Sequence, residues 1–196
     1  VVSSGLIGQG QTRLLKFLAP PAGTYIYLDP FNAPLNRVMG LHGVLVSLPR
    51  VGNTPYSYPT PSVQQLFDDL GTHEVFPGHP WQREATRIWV FTQIDPDLNQ
   101  AVRDGAITTG DDYLAAFQPR YFTINGRSGY FSAHEATDTH LHSTVGHPHL
   151  IRNVNVGLWG HSPHVHANHC YRLAIDGAVQ DNVVLLDTWT VRPMQR

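Results

Sequence analysis

The chain has 196 residues, 41% of them hydrophobic and only 14% charged, which suits a folded protein and excludes a disordered one. Thirteen Lys plus Arg against fifteen Asp plus Glu give a formal net charge of −2 with no basic run, so neither nucleic acid nor an anionic membrane is expected as the main partner. No stretch approaches the roughly eighteen consecutive apolar residues of a spanning helix.

The opening "VVSSGLIGQG" has neither a basic start nor a long apolar core, so it does not read as a signal peptide; lacking Met, it reads as a processed or truncated chain. "GTYIYLDP" (23–30) and "GLHGVLVSLP" (40–49) read as strands bounded by turn residues. "RVGNTPYSYPTP" (50–61) has the composition of a linker. "TPSVQQLFDDLG" (60–71) carries Val63, Leu66, Phe67 and Leu70 at helical spacing, with Gly71 just past the end. "TRIWVFTQID" (86–95) is the next strand, and "DPDLNQAVRDG" (95–105) holds a short helix capped by Asp95 or Asp97. "RYFTING" (120–126), "HLIRNVNVG" (149–157), "CYRLAIDG" (170–177) and "NVVLLDTWTV" (182–191) continue the strand pattern. The sum is an all-β chain, a sandwich or barrel, with one or two short helices. The single Cys170 excludes an internal disulfide and leaves the redox compartment open.

Chemistry concentrates in "GHSPHVHANH" (160–169), which holds four of the twelve histidines. In a strand, residues two apart share a face, so His164 and His166 would present paired imidazoles, donors that suit Cu, Zn, Fe or Ni. Pro163 restricts Ser162 to extended geometry and places His161 on the turn entering that strand. A regular strand would point His169 the other way. His161, His164 and His166 are therefore the candidate metal ligands, weighed against a solvated polar corner. His140 and His142 in "DTHLHS" share the spacing, but their flanks of Thr, Asp and Ser favour an ordinary role. For His147 and His149 in "GHPHL", a surface turn is the simpler reading. Cys170 lies roughly 13 Å along a strand from His166, too far to share a metal without a sharp bulge. A buried, inert thiol is expected there.

These segments resemble the multicopper oxidase family. "HLIRNVNVGLWGHSPHVHANHCYRLAIDG" (149–177) is similar to its "vliRvlNaG" strand followed by "HPxHxHGH", and "PRYFTINGRSG" (119–129) to its "fxINGr" strand. "LAPPAGTYIYLDPFNAPLNRVMGLHGVLVSLP" (18–49) resembles the close of a preceding domain, "pGTYwYHxH…GlxGxliV", and "IWVFTQIDPDLNQ" (88–100) the opening of the next. The resemblance implies cupredoxin-like Greek-key β-sandwich domains. Residues 1–50 would close a first domain, 51–85 connect, and 86–196 form most of a second. It implies copper as cofactor, with His161 at the type 1 position and His164 and His166 at the type 2 and type 3 positions. It also implies a small-molecule reducing substrate, O2 as acceptor, and an extracellular or periplasmic location.

The departures from the family pattern are specific. Leu28 and Pro30 stand where "YHxH" has potential ligands, Ala167 replaces a Gly, and the later "HCHxxxHxxxGM" element is absent. The expectation is thus a partial chain, whose missing ligands come from a complementary chain or a homo-oligomer. The leading reading is a copper-dependent oxidoreductase or a fragment of one. The alternative is a non-catalytic cupredoxin-like copper-binding or assembly module. A cupin-type metal enzyme ranks third, because "ANHCYRLA" offers no Glu after the histidine pair.

Overall fold

The computed structural model describes residues 2–135 and 138–196. Residues 2–22 form no regular element and are mostly exposed. The first strand, β1 (Gly23–Leu28), pairs antiparallel with β2 (His42–Ser47), and the short α1 (Leu35–Val38) lies between them. Next comes α2 (Pro61–Asp69), with Pro61 in its first turn and Gly71 just beyond its end at φ +80°, the left-handed conformation that glycine adopts without strain.

The strand β3 (Thr86–Ile94) is central in its sheet. It buries Trp89, Phe91 and Gln93 on one face, runs antiparallel to β4 (Tyr121–Ile124) and parallel to β5 (Leu150–Asn155). Two helices occupy the connection from β3 to β4. The Asp95 side chain caps α3 (Pro96–Arg103) by accepting from Leu98 N at 3.0 Å, and Thr109 caps α4 (Gly110–Ala116) by accepting from Asp112 N at 3.1 Å. A single π turn covers Phe131–Glu135. The chain ends in the hairpin β6 (Cys170–Ile175) and β7 (Ala178–Leu186). Asp176 at φ +53° and Gly177 at φ +81° occupy its turn, the paired positive dihedrals of a type I′ hairpin.

All seven expected strands are present, as are both expected helices. The two extra short helices, α1 and α4, carry little apolar periodicity and owe their place to packing. Leu35 of α1 and Tyr113 of α4 meet Leu98 and Phe117 in one buried cluster. A second cluster joins Val63 and Phe67 of α2 to Trp81, with Phe67 edge-on to the indole at 5.6 Å, and seats them against Leu150, Leu173, Val179 and Val183. The third cluster, Trp89, Phe91 and Val191, lies under the histidine segments.

Buried polar groups tie the third cluster to the loop that follows β5. Asn155 is fully buried; its Nδ2 donates to Trp159 O at 2.8 Å and Val191 O at 2.9 Å, while Oδ1 accepts from Gly157 N at 2.9 Å. No helix among the described residues is long and apolar enough to cross a membrane. Asn155→Ala would leave the Gly157 amide without its acceptor, at about 1–3 kcal/mol for a buried group, while Trp159 O keeps Gln93 Nε2 at 3.2 Å and Val191 O keeps His161 N at 3.1 Å. Urea unfolding should show a loss of about 1–3 kcal/mol. Hydrogen exchange of the Gly157 amide should accelerate, whereas unchanged stability and protection would mean the side chain bears no such load.

Candidate metal centre

The segment 160–169 is not a strand. Pro163 lacks an amide proton, and Ala167 takes a left-handed φ of +63°, so the ladder breaks into isolated bridges, His161 with Val191 and His164 with Thr188. The expected pairing of His164 with His166 nevertheless holds by another route. Val165 between them packs into the cluster of Trp89, Phe91 and Val191, and the flanking rings meet with centroids 4.8 Å apart at 75°. His169, expected to point away from the pair, instead comes within 3.7 Å of Asp187 Oδ1, because no regular strand imposes alternation.

Asp187 also orients His164. His164 Nδ1 lies 2.9 Å from the Asp187 carbonyl oxygen and 3.3 Å from its Oδ2. Both oxygens only accept, so Nδ1 carries the proton and Nε2 keeps its lone pair. A backbone carbonyl or carboxylate holding the far nitrogen is the arrangement that orients metal-bound histidines. His166 makes no hydrogen bond among the described residues, and its ring is exposed. Both residues fit as copper donors.

His161 stands apart. Its half-buried ring packs on Phe91 at 4.8 Å and Phe122 at 5.8 Å, and its Nε2 meets Gln93 Nε2. The amide orientation of Gln93 is dictated by its surroundings: Oε1 accepts from Leu158 N at 2.7 Å and Trp159 N at 2.9 Å, so Nε2 must donate. His161 Nε2 is therefore the acceptor, and the proton sits on Nδ1. Burial holds this imidazole below its ordinary range, in its neutral form. In this state His161 has no lone pair free, and it is not in ring contact with His164 or His166. Copper at His161 would need Nδ1, forcing a proton onto Nε2 against the Gln93 donor.

Among the described residues, no group of three or more His, Cys, Asp or Glu side chains is placed to hold a metal ion. Two imidazoles fit copper, and a closed set does not form within this chain. Cys170, at the start of β6, is half-buried, and burial pushes its thiol up, away from the thiolate that copper needs. Leu28 and Pro30 stand at and just beyond the end of β1, and their side chains offer no donor atom to a metal. Asp187 and Gln93 belong to no sequence motif. Gln93 had one available signal, a polar residue at the parity of Trp89 and Phe91.

No family model matches the chain, and no curated protein matches it. Among solved structures, the chain is similar to the blue copper oxidase from Nitrosomonas europaea, with a TM-score of 0.52 and 19% sequence identity. The match covers 92% of this chain and 45% of that one, so the chain spans less than half the length of its structural neighbour. At this identity the likeness establishes the fold: a cupredoxin-like β-sandwich, mostly strands with few short helices and no closed barrel among the described residues.

The lowered proton affinities of His161 and His149 set a pH dependence. Burial is the main cause for both, and for His149 the Arg87 charge adds to it. Unfolding releases these rings to protonate, so the unfolded state binds more protons below about pH 6.5. Their contribution is complete above that pH and is lost as pH falls through the lowered native values. Thermal melts should drop between pH 7.5 and 5.5, and His161→Gln should flatten the slope; an identical slope in the variant would contradict the neutral assignment.

Proposed function

We propose that the chain is part of a copper-dependent oxidoreductase of the multicopper oxidase type, coupling oxidation of a small-molecule reductant to reduction of O2. The observation that carries this reading is the His164–His166 pair, with Asp187 on the far nitrogen of His164, on a fold similar to a blue copper oxidase. Copper, where bound, supplies one-electron transfer. The chain's own residues do the rest: Asp187 fixes the His164 tautomer, Val165 holds the two rings together, and His166 offers an unengaged ring. The remaining ligands come from a complementary segment, another chain or a second copy. His161 joins them only if its proton moves from Nδ1 to Nε2 and Gln93 is displaced. Residues 1–50 then close one cupredoxin domain and 86–196 make most of the next, joined through 51–85. An extracellular or periplasmic site follows from the same likeness.

The second reading, a non-catalytic copper-binding or assembly module, is favoured by Leu28 and Pro30, which offer no donor atoms. Oxygen consumption by the copper-loaded protein, with and without a phenol or aromatic amine, separates the two.

Metal analysis and EPR after copper loading and dialysis test the ligands. His164→Ala and His166→Ala should each lose one copper per chain, whereas His73→Ala, at an exposed histidine outside both His-x-His segments, should keep it. Equal copper in all three variants would overturn the assignment. The loaded protein should also lack the intense visible absorption of a blue copper centre, because among the described residues no pair of imidazoles groups with Cys170. That band would show a thiolate ligand, from Cys170 or from a partner.

A further inference from the structure

A second His-x-His segment, "THLHS", is built like the first. Leu141 packs into the same cluster of Trp89, Phe91 and Val191 that receives Val165. The backbone around it is anchored to β3: Trp89 Nε1 donates to Thr139 O at 3.1 Å, and Arg87 Nε donates to His140 O at 2.8 Å. With Leu141 so held, the His140 and His142 rings meet with centroids 5.2 Å apart at 73°.

The nitrogens are more informative than the rings. His140 Nε2 lies 3.1 Å from Ala133 O in the π turn, and a carbonyl only accepts, so the proton is on Nε2 and Nδ1 keeps its lone pair. That Nδ1 faces His142 Nε2 at 3.3 Å. Two metal–nitrogen bonds of about 2.0–2.1 Å at the tetrahedral angle place their nitrogens about 3.3–3.4 Å apart. The pair therefore already stands at the bite distance of a single metal ion, with one member braced by a backbone carbonyl on its far nitrogen.

We infer that His140 and His142 form a second site, independent of His164 and His166, for a borderline divalent cation such as Cu2+, Zn2+ or Ni2+. Imidazole donors select these over Mg2+ and Ca2+. Binding needs only that the His142 proton move from Nε2 to Nδ1, so the neutral ring is conserved and no net proton is released. With no third donor side chain placed beside them among the described residues, water completes the coordination. Arg87, a positive charge held at the His140 carbonyl, weakens the site and keeps the ion exchangeable. The inference does not depend on the oxidase reading.

The test is a Zn2+ titration of 15N-histidine-labelled protein, followed by long-range 1H–15N correlation of the rings. His140 Nδ1 and His142 Nε2 should shift together, in wild type and equally in His164→Ala. His142→Ala replaces an exposed ring that, among the described residues, bonds to His140 alone, so it leaves the fold intact. It should bind one Zn2+ fewer per chain and silence the His140 shift. Unchanged stoichiometry in His142→Ala, or shifts confined to His164 and His166, would overturn the second site while leaving the first untouched. Loss of shifts at His164 and His166 alone would count against the oxidase ligands and not against this pair.

Discussion

The architecture around the histidines depends on Asn155. It is the last residue of β5, fully buried, and its amide binds three backbone groups of the following loop and the C-terminal segment. Its own backbone also pairs with the C-terminal segment, donating to Gln195 O at 2.9 Å and accepting from Met194 N at 2.8 Å. One side chain thus fixes both the loop that leads into His161 and the strand fragment at Val191 that bridges it. Gln93, on the neighbouring strand, completes the same task by accepting from Leu158 and Trp159. Buried amides satisfied on every side cost little, whereas a half-satisfied one is expensive. That asymmetry gives the loop its single conformation.

From this anchoring follow different chemical states for histidines of one sequence type. His161 is wedged between Phe91 and Phe122 with its lone pair consumed by Gln93. His164 has its far nitrogen occupied by Asp187 and its near one open. His140 is braced in the same sense by Ala133. Ring proximity alone does not distinguish these cases; the direction of each hydrogen bond does. Acceptors on the far nitrogen prepare an imidazole for a cation, and a donor on it does the opposite.

The strands were legible from the sequence because their turn residues are strong and local: Asp176-Gly177 fixes one hairpin, and the alternation of Trp89, Phe91 and Gln93 marks the buried face of β3. The pairing of His164 with His166 was legible in outcome, though the strand expected to produce it is absent. What spacing supplied was a three-residue unit whose middle member is apolar. That member needs only a core to sink into, and a broken ladder serves as well as a whole one. The same rule was open at His140–Leu141–His142, where polar flanks hid it. Asp187 was not legible, because it reaches His164 across 23 residues and only the bridge between His164 and Thr188 brings it there.

The two His-x-His units share one hydrophobic seat, since Leu141 and Val165 both rest on Trp89, Phe91 and Val191. A fold that pins each pair through its centre leaves His142, His164 and His166 exposed and His140 half-buried. Such a pair is half of a coordination sphere. Copper sites of redox enzymes need three or more protein donors to fix geometry and potential. On the proposed reading, completion at His164 and His166 comes from a surface laid against this one, in keeping with a likeness that covers 45% of a larger copper oxidase, whereas water completes the pair at His140 and His142. The rigidity of the half matters more than its affinity. His164 and His140, each braced on its far nitrogen, are oriented before a metal arrives, so their share of the ordering cost at binding is already met by the fold.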